Sequence, residues 1–452
     1  MGKVLIIAYH FHPDLEVGAV RSIKFAKYLS NLGWKPFVVT IDTKYIPRQD
    51  HSDLNFECEI VRTSKWPTPD DFYLRAKSLI RGRRKLNNDG AANLGKKINL
   101  DTPEYTVLSN KSPLCKRLFN SLSATPDERI GWLIPAAYRS IRVIKKEKID
   151  IIYSSGPPYT SHLVAYLAKL FTGKKWIADF RDPWTTCIRL GSHFNALSTW
   201  IEKRMERAVI SRADHILTAT PAIAAQLSDI YPKAISSKCT TVHNGFDEED
   251  FYGKKKETGK DKGRVNFLYA GTLYLGRDPS PIIQAIGELI LDGRISKSEI
   301  KLEFVGNFEF GDSTLRGTAS KYGLEDIVIF SPPVDRSKYF DLILNSGVLI
   351  LMQSDMAKPQ IPGKTYEYLA TGNPIFALVP DGATSDLLSD FNHALISDPG
   401  DKERIKECII NLLRNNDLAP DEKSKKLLAE LTRKKQTAKL ALIMEKLKSL
   451  DI

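Results

Sequence analysis

The segment Pro362-Gly363-Lys364-Thr365-Tyr366-Glu367 brings more chemistry together than any other in this 452-residue chain. Its pattern predicts a helix over 364–371, which sets Lys364 in the first turn. A cation there opposes the helix dipole unless an anion neutralises it, so the placement points to phosphate. Glu367 follows one turn on and shares that helix face. A carboxylate can accept two hydroxyl hydrogen bonds, which suits the vicinal diol of a ribose. The bland alternative is an ordinary surface ion pair.

Arg277 closes the loop 271–277 after a predicted strand, and a guanidinium fork can hold two phosphate oxygens. A plain surface position stays open for it. Gly18 precedes a predicted helix in the first half, where unpaired N–H groups and the positive dipole end attract phosphate. No Gly-x-Gly-x-x-Gly spacing accompanies it, which argues against a nicotinamide or flavin dehydrogenase. Arg181-Asp182-Pro183-Trp184 sets a cation, a carboxylate and an aromatic at one strand end. Sugars stack on aromatic faces while charged groups bind their hydroxyls; a capping turn is the alternative. His10 and His12 flank Phe11 without the further partners a metal site needs. Neither a Gly-x-Ser-x-Gly elbow nor a Walker loop is present.

These residues need strands that end beside them. In the first half the pattern predicts strands over 3–8, 36–41, 150–153, 176–180 and 214–218. Helices over 19–32, 159–171 and 199–212 lie among them. The second half restarts the βαβ order with strands over 265–270, 300–305, 327–330, 347–352 and 374–378, helices over 279–291 and 364–371, and one long basic amphipathic helix over 425–447. Parallel sheets bind ligands at the carboxyl ends of their strands, where the residues above fall. The Lys- and Gly-rich run 253–263 reads as the junction, giving domains 1–247 and 248–424 and a C-terminal segment, 425–452, expected to pack back on the first domain.

Composition sets the outer bounds. Hydrophobic residues at 42% and charged residues at 27% are globular values, and no apolar run approaches the roughly 18 residues that span a bilayer. Five scattered cysteines without a Cys-x-x-Cys pair fit reduced thiols in the cytoplasm. A net charge of +12 favours anionic partners. Basic residues crowd the stretch between Arg75 and Lys97, within a 75–118 insertion that reads as a solvated loop or a dock for an anionic membrane or acceptor. No nucleic-acid-binding module is recognisable, so nucleic acid is not an expected partner.

With these residues in place the chain resembles the family-four glycosyltransferases of the GT-B fold over nearly its whole length. The landmarks are Gly18, the strand Asp214-His215-Ile216-Leu217, the junction His243-Asn244-Gly245-Phe246-Asp247, the strand end Ala270-Gly271-Thr272, and Glu367 with Ala370 and Gly372. The resemblance implies an α/β architecture of two Rossmann-like domains with parallel sheets facing across a cleft. It implies transfer from an NDP-sugar to a hydroxyl acceptor with retention, without an obligatory metal. By the same resemblance Gly18, Thr272, Arg277, Val334, Gly363, Lys364 and Glu367 are donor contacts, and Arg181, Asp182, Arg277 and Lys364 the catalytic groups. His12 and Trp184 are acceptor contacts. Thr272 stands where the family has an arginine, and Pro359 replaces the first glutamate of its Glu-x7-Glu motif; Lys364 is then the cation that compensates at the diphosphate. A glycan or lipid-linked acceptor of surface-polysaccharide synthesis, met in the cytoplasm at the inner membrane face, completes the expectation. A non-hydrolysing NDP-sugar epimerase and a non-catalytic nucleotide-sugar binding subunit are the rival readings.

Overall fold

Strands that are apolar on both faces build two parallel sheets. Residues 4–7, 37–39 and 151–153 are wholly buried or nearly so, the condition of a strand covered by helices on either side. The computed structural model describes residues 1–50, 54, 56–68, 125–186, 196–256, 260–261, 263–273, 276–308, 312–415 and 418–450. It divides into two units, Met1–Thr218 with Ala224–Thr241 and Thr437–Ile452, and Ala219–Ile223 with Val242–Gln436. The basic stretch 75–118 lies outside the described residues.

In the first unit the order is β1 (Gly2–Ile7), α1 (Val17–Ser30), β2 (Trp34–Ile41), β3 (Glu59–Thr63), α2 (Leu133–Glu147), β4 (Ile151–Gly156), α3 (Thr160–Thr172), β5 (Lys175–Phe180), α4 (Ala196–Arg212), β6 (His215–Thr218), α5 (Pro221–Ile230), α6 (Pro232–Lys238) and β7 (Cys239–Thr241). The strands lie side by side as β3-β2-β1-β4-β5-β6-β7, every pair parallel. The order reverses between β1 and β4, the point at which such sheets open a crevice for ligands. Helix α1 starts at Val17, two residues earlier than the pattern suggests, so Gly18 lies inside its first turn.

The second unit runs β8 (Lys260–Asp261), β9 (Arg264–Ala270), α7 (Ser280–Leu291), β10 (Ile300–Val305), α8 (Asp312–Lys321), β11 (Val328–Ser331), α9 (Arg336–Leu344), β12 (Val348–Met352), α10 (Gly363–Thr371), β13 (Ile375–Leu378), α11 (Ala383–Leu388), β14 (Ala394–Ser397), α12 (Lys402–Arg414), α13 (Glu422–Glu430) and the start of α14 (Arg433–Ser449), which belongs to the first unit from Thr437 on. Six parallel strands take the order β11-β10-β9-β12-β13-β14, and β8 adds antiparallel to β9. Alternate side chains serve opposite faces. Phe267, Tyr269 and Ile350 enter one core with Ile286 and Ile409, while Leu268, Leu349 and Leu351 enter another with Leu369 and Ile375.

The single helix expected over 425–447 is two helices. Phe246 donates its N–H to Leu431 O at 3.2 Å and accepts from Arg433 N at 2.7 Å, so the backbone between α13 and α14 is used in a β-bridge instead of a helical ladder. The break resets the helical phase: Leu440, Met444 and Leu447 are buried, while Leu442 is 72% exposed.

Candidate functional site

In the second unit, α10 delivers Lys364 to the carboxyl end of β9. Pro362 occupies the N-cap and Gly363 and Lys364 open the helix, which stops at left-handed Gly372. The Lys364 ammonium donates to Ala270 O at 2.9 Å and lies 4.2 Å from the centre of the Tyr269 ring. Gly271 makes this approach possible: its φ is +144°, and a Cβ there would collide with Lys364 Nζ. Burial is the main cause that lowers the Lys364 pKa to about 7; the Arg277 charge adds to the fall and Glu367 opposes it. Arg277, half-buried, therefore stands within electrostatic reach of the same point. Thr272 is half-buried beside them, its carbonyl bonded to Tyr269 Oη at 3.0 Å.

Lys364 and Glu367 do not form the simple surface pair. Glu367 Oε2 accepts from Tyr339 Oη at 2.7 Å, and Oε1 lies 3.9 Å from Arg336 Nη2. Its side chain is 15% exposed. Behind it Arg433 is buried, and desolvation lowers that guanidinium's pKa against the opposing pull of Glu367 and Asp250. Beyond its chain neighbours and its own helix backbone, no atom lies within 4 Å of where a Cβ on Gly363 would stand. Val334 is exposed in the loop before α9. Pro359, at the position of the missing glutamate, has its carbonyl held by Thr220 Oγ1 at 2.6 Å. Buried Gln353 fastens the same loop through Ala357 O and Gln360 O at 2.7 and 2.8 Å.

In the first unit the structure brings Gly18 and Arg181 together. Arg181 donates to Gly18 O at 2.8 Å and to Pro157 O at 3.2 Å, and its Nε lies 3.5 Å from Asp182 Oδ2. A Cβ on Gly18 would stand 2.9 Å from Arg181 Nη1. The glycine thus clears room for a guanidinium at the first turn of α1. His12 is half-buried, its carbonyl accepting from Arg62 at 2.9 Å. Trp184 corrects the expectation placed on it: its ring is fully buried and stacked on Tyr159, centroids 4.6 Å apart, so it offers no face to a sugar.

Residues that composition and spacing left unnoticed hold both places. Buried Arg21 meets Asp179 through two bonds of 2.8 and 2.9 Å, and Tyr153 Oη donates to the same carboxylate at 2.5 Å. This bidentate pair ties α1 to β5. Tyr339 and Arg336 lie on α9, for which no helix was expected, so only a contact map could link them to Glu367. Among the described residues no group of three or more His, Cys, Asp or Glu side chains could hold a metal ion, and no helix is long and apolar enough to cross a membrane.

Residues 103–250 match the family model described as Glycosyltransferase Family 4, and 251–433 match that of the glycosyl transferases group 1. Among solved structures, sucrose-phosphate synthase from Thermosynechococcus elongatus is similar at 14% identity and a TM-score of 0.66, with 100% of both chains covered. HepE of Anabaena, solved with UDP and glucose, is 12% identical at a TM-score of 0.58, over 99% of this chain and 100% of its own. A glycosyltransferase from Rickettsia africae reaches 12% and 0.58, over 99% of this chain and 98% of its own. At such identities the likeness is one of fold. A comparison with curated protein sequences gives no significant match.

Two Rossmann-like parallel sheets of this kind make a GT-B protein. The chain belongs to the family-four glycosyltransferases and has their GT-B fold.

Proposed function

We propose that the enzyme moves a sugar from its NDP-sugar donor to the hydroxyl of a glycan or lipid-linked acceptor in surface-polysaccharide synthesis, with retention of anomeric configuration. The observation that carries the donor assignment is the Lys364 ammonium, brought by α10 to the carboxyl end of β9 where Thr272 supplies no charge. Lys364, Arg277 and the open N-terminus at Gly363 then bind the diphosphate. Glu367 accepts from the ribose hydroxyls while Tyr339 holds its other oxygen. The Val334 loop meets the base. Gly18, with Arg181 and Asp182 beside it, serves the reacting end, and His12 the acceptor.

Preorganised cations stabilise the charge that builds on the departing diphosphate. The bond from C1 to the phosphate oxygen breaks as the acceptor oxygen bonds to C1 on the same face, and the acceptor proton passes to the leaving phosphate. Catalysis by this route uses no metal. Work at the cytoplasmic membrane face, with the basic 75–118 stretch as a contact, belongs to the same proposal.

Substitution tests it. Lys364→Ala, Arg277→Ala and Glu367→Ala are each expected to reduce transfer by a factor of ~100, from the loss of a charged contact to the transition state. Full activity in all three with saturable donor would overturn the site. Incubation with donor alone separates transfer from epimerisation, since an epimerase needs no acceptor. Product stereochemistry by NMR decides retention.

A further inference from the structure

We infer that the outer face of α2, α3 and α4 docks on the anionic surface of a lipid bilayer. These helices form one layer over the first sheet, α3 packing between α2 and α4. The outward stripe of α3 is apolar along its length: Leu163, Tyr166 and Leu167 are half-buried, and Leu170 and Phe171 are 57% and 62% exposed. Its neighbours extend the stripe. Ile134 and Tyr138 stand out from α2, and Leu197 and Trp200 from α4, each of them more than 40% exposed. Between α3 and α4 lies a groove of about 330 Å³ lined by Leu163, Tyr166, Trp200, Ile201, Met205 and Ala208, with Arg204 at its edge.

Charge selects the occupant. Helix α2 exposes Arg139, Arg142, Lys145 and Lys146, and α4 exposes Lys203, Arg204, Arg207 and Arg212. Neither helix exposes a carboxylate, and α3 contains none. Glu147 is half-buried, while Glu202 and Glu206 are buried; Glu206 is taken up by Thr185 N and Oγ1 at 3.1 and 2.7 Å. Arg204 lies over the Trp200 ring at 5.0 Å, and Arg142 over Tyr138 at 5.7 Å. An apolar band with aromatic members, flanked by eight cations and no exposed acid, matches a headgroup region in both polarity and sign. A protein partner would need acidic groups placed one against each arginine; a fluid anionic surface meets them without a fixed pattern.

The inference rests on the proposed work at a membrane face, but the surface shares no residue with the donor assignment, so failure here leaves sugar transfer standing and loss of transfer in the donor-site variants leaves the docking surface standing. The test is co-sedimentation of the full chain with vesicles of phosphatidylcholine alone or with phosphatidylglycerol, at low and high salt. Expected is pelleting with the anionic vesicles only, lost at high salt. Lys145→Glu with Lys146→Glu should weaken it by at least about fivefold for each cation removed. Trp200→Ser with Phe171→Ser should weaken it at low salt, where the parent pellets, although no charge is changed. The emission lost in Trp200→Phe should shift to the blue when anionic vesicles are added to the unmodified chain. Equal partition of variants and parent overturns the proposal. So does equal binding to neutral vesicles, unshifted Trp200 emission, or a dimer in solution that Trp200→Ser dissociates while vesicles stay unbound, which would assign the face to a second copy.

Discussion

At the scale of single residues the proposed donor site turns on Lys364, whose pKa burial lowers to about 7. In the unbound enzyme it is largely neutral above pH 8, and a bound diphosphate would restore its charge. Binding then takes up a proton, so donor affinity is expected to fall as pH rises above 7, by up to about tenfold per unit. Isothermal titration with an NDP-sugar between pH 6 and 9 checks this, since its doubly esterified phosphates do not titrate there. Lys364→Met should flatten the profile. For stability the sign is set by the same shift. Between pH 7 and the usual lysine value the unfolded chain keeps a proton that the native state has lost, so this group's contribution rises with pH across that window. Tyr339→Phe removes a 2.7 Å bond to Glu367 and should weaken ribonucleotide binding by about tenfold, the worth of a bond to a charged group. A 2′,3′-dideoxy analogue should bind parent and variant alike. The helix that carries Lys364 and Glu367 was legible in the sequence, within one residue of its observed start at Gly363. Trp184 was misread because an aromatic at a strand end has the same spacing whether it faces inward or outward.

At the scale of elements, the strands were the legible part. Residues 300–305 form β10 as the apolar pattern predicts, and β12 and β13 fall within a residue of theirs. Polar helices were not. Helix α9 (Arg336–Leu344) buries only Phe340, Ile343 and Leu344, too few to mark a periodic stripe. The meeting of α10 with β9 depends on residues 94 apart, which no local pattern reports. Gly271→Ala is the test of that meeting. Strain at φ +144° and collision with Lys364 should push the ammonium off Ala270 O, raising donor Kd by at least about tenfold while unfolding stays cooperative. In the first unit, Arg21→Met should leave Asp179 buried without its cation and cost about 3 kcal/mol or more in urea unfolding.

For the whole molecule, every described residue assigned to the donor, except Gly18, belongs to the second unit. A saturating donor should therefore raise the thermal transition of that unit, by about 2.7 kcal/mol of stability at a hundred times Kd. The units themselves were legible as two restarts of one βαβ order, but their membership was not. The sequence pattern suggests one passage near residue 247 and a return of the segment 425–452 to the first domain, whereas the chain changes unit at residues 218/219, 223/224, 241/242 and 436/437. The last of these falls within α14, whose Leu440, Met444 and Leu447 are buried and whose Lys448 lies 3.1 Å from Asp150 and over the Trp34 ring. This has a consequence for birth on the ribosome. Chains are made from the N-terminus, and domains commonly fold as they emerge. Here the first unit to be synthesised cannot close until the last helix has left the exit tunnel. Its final packing must wait for the second unit's entire synthesis. Stalled chains ending before residue 437 should remain open to protease in the first unit, and release of the full length should close them.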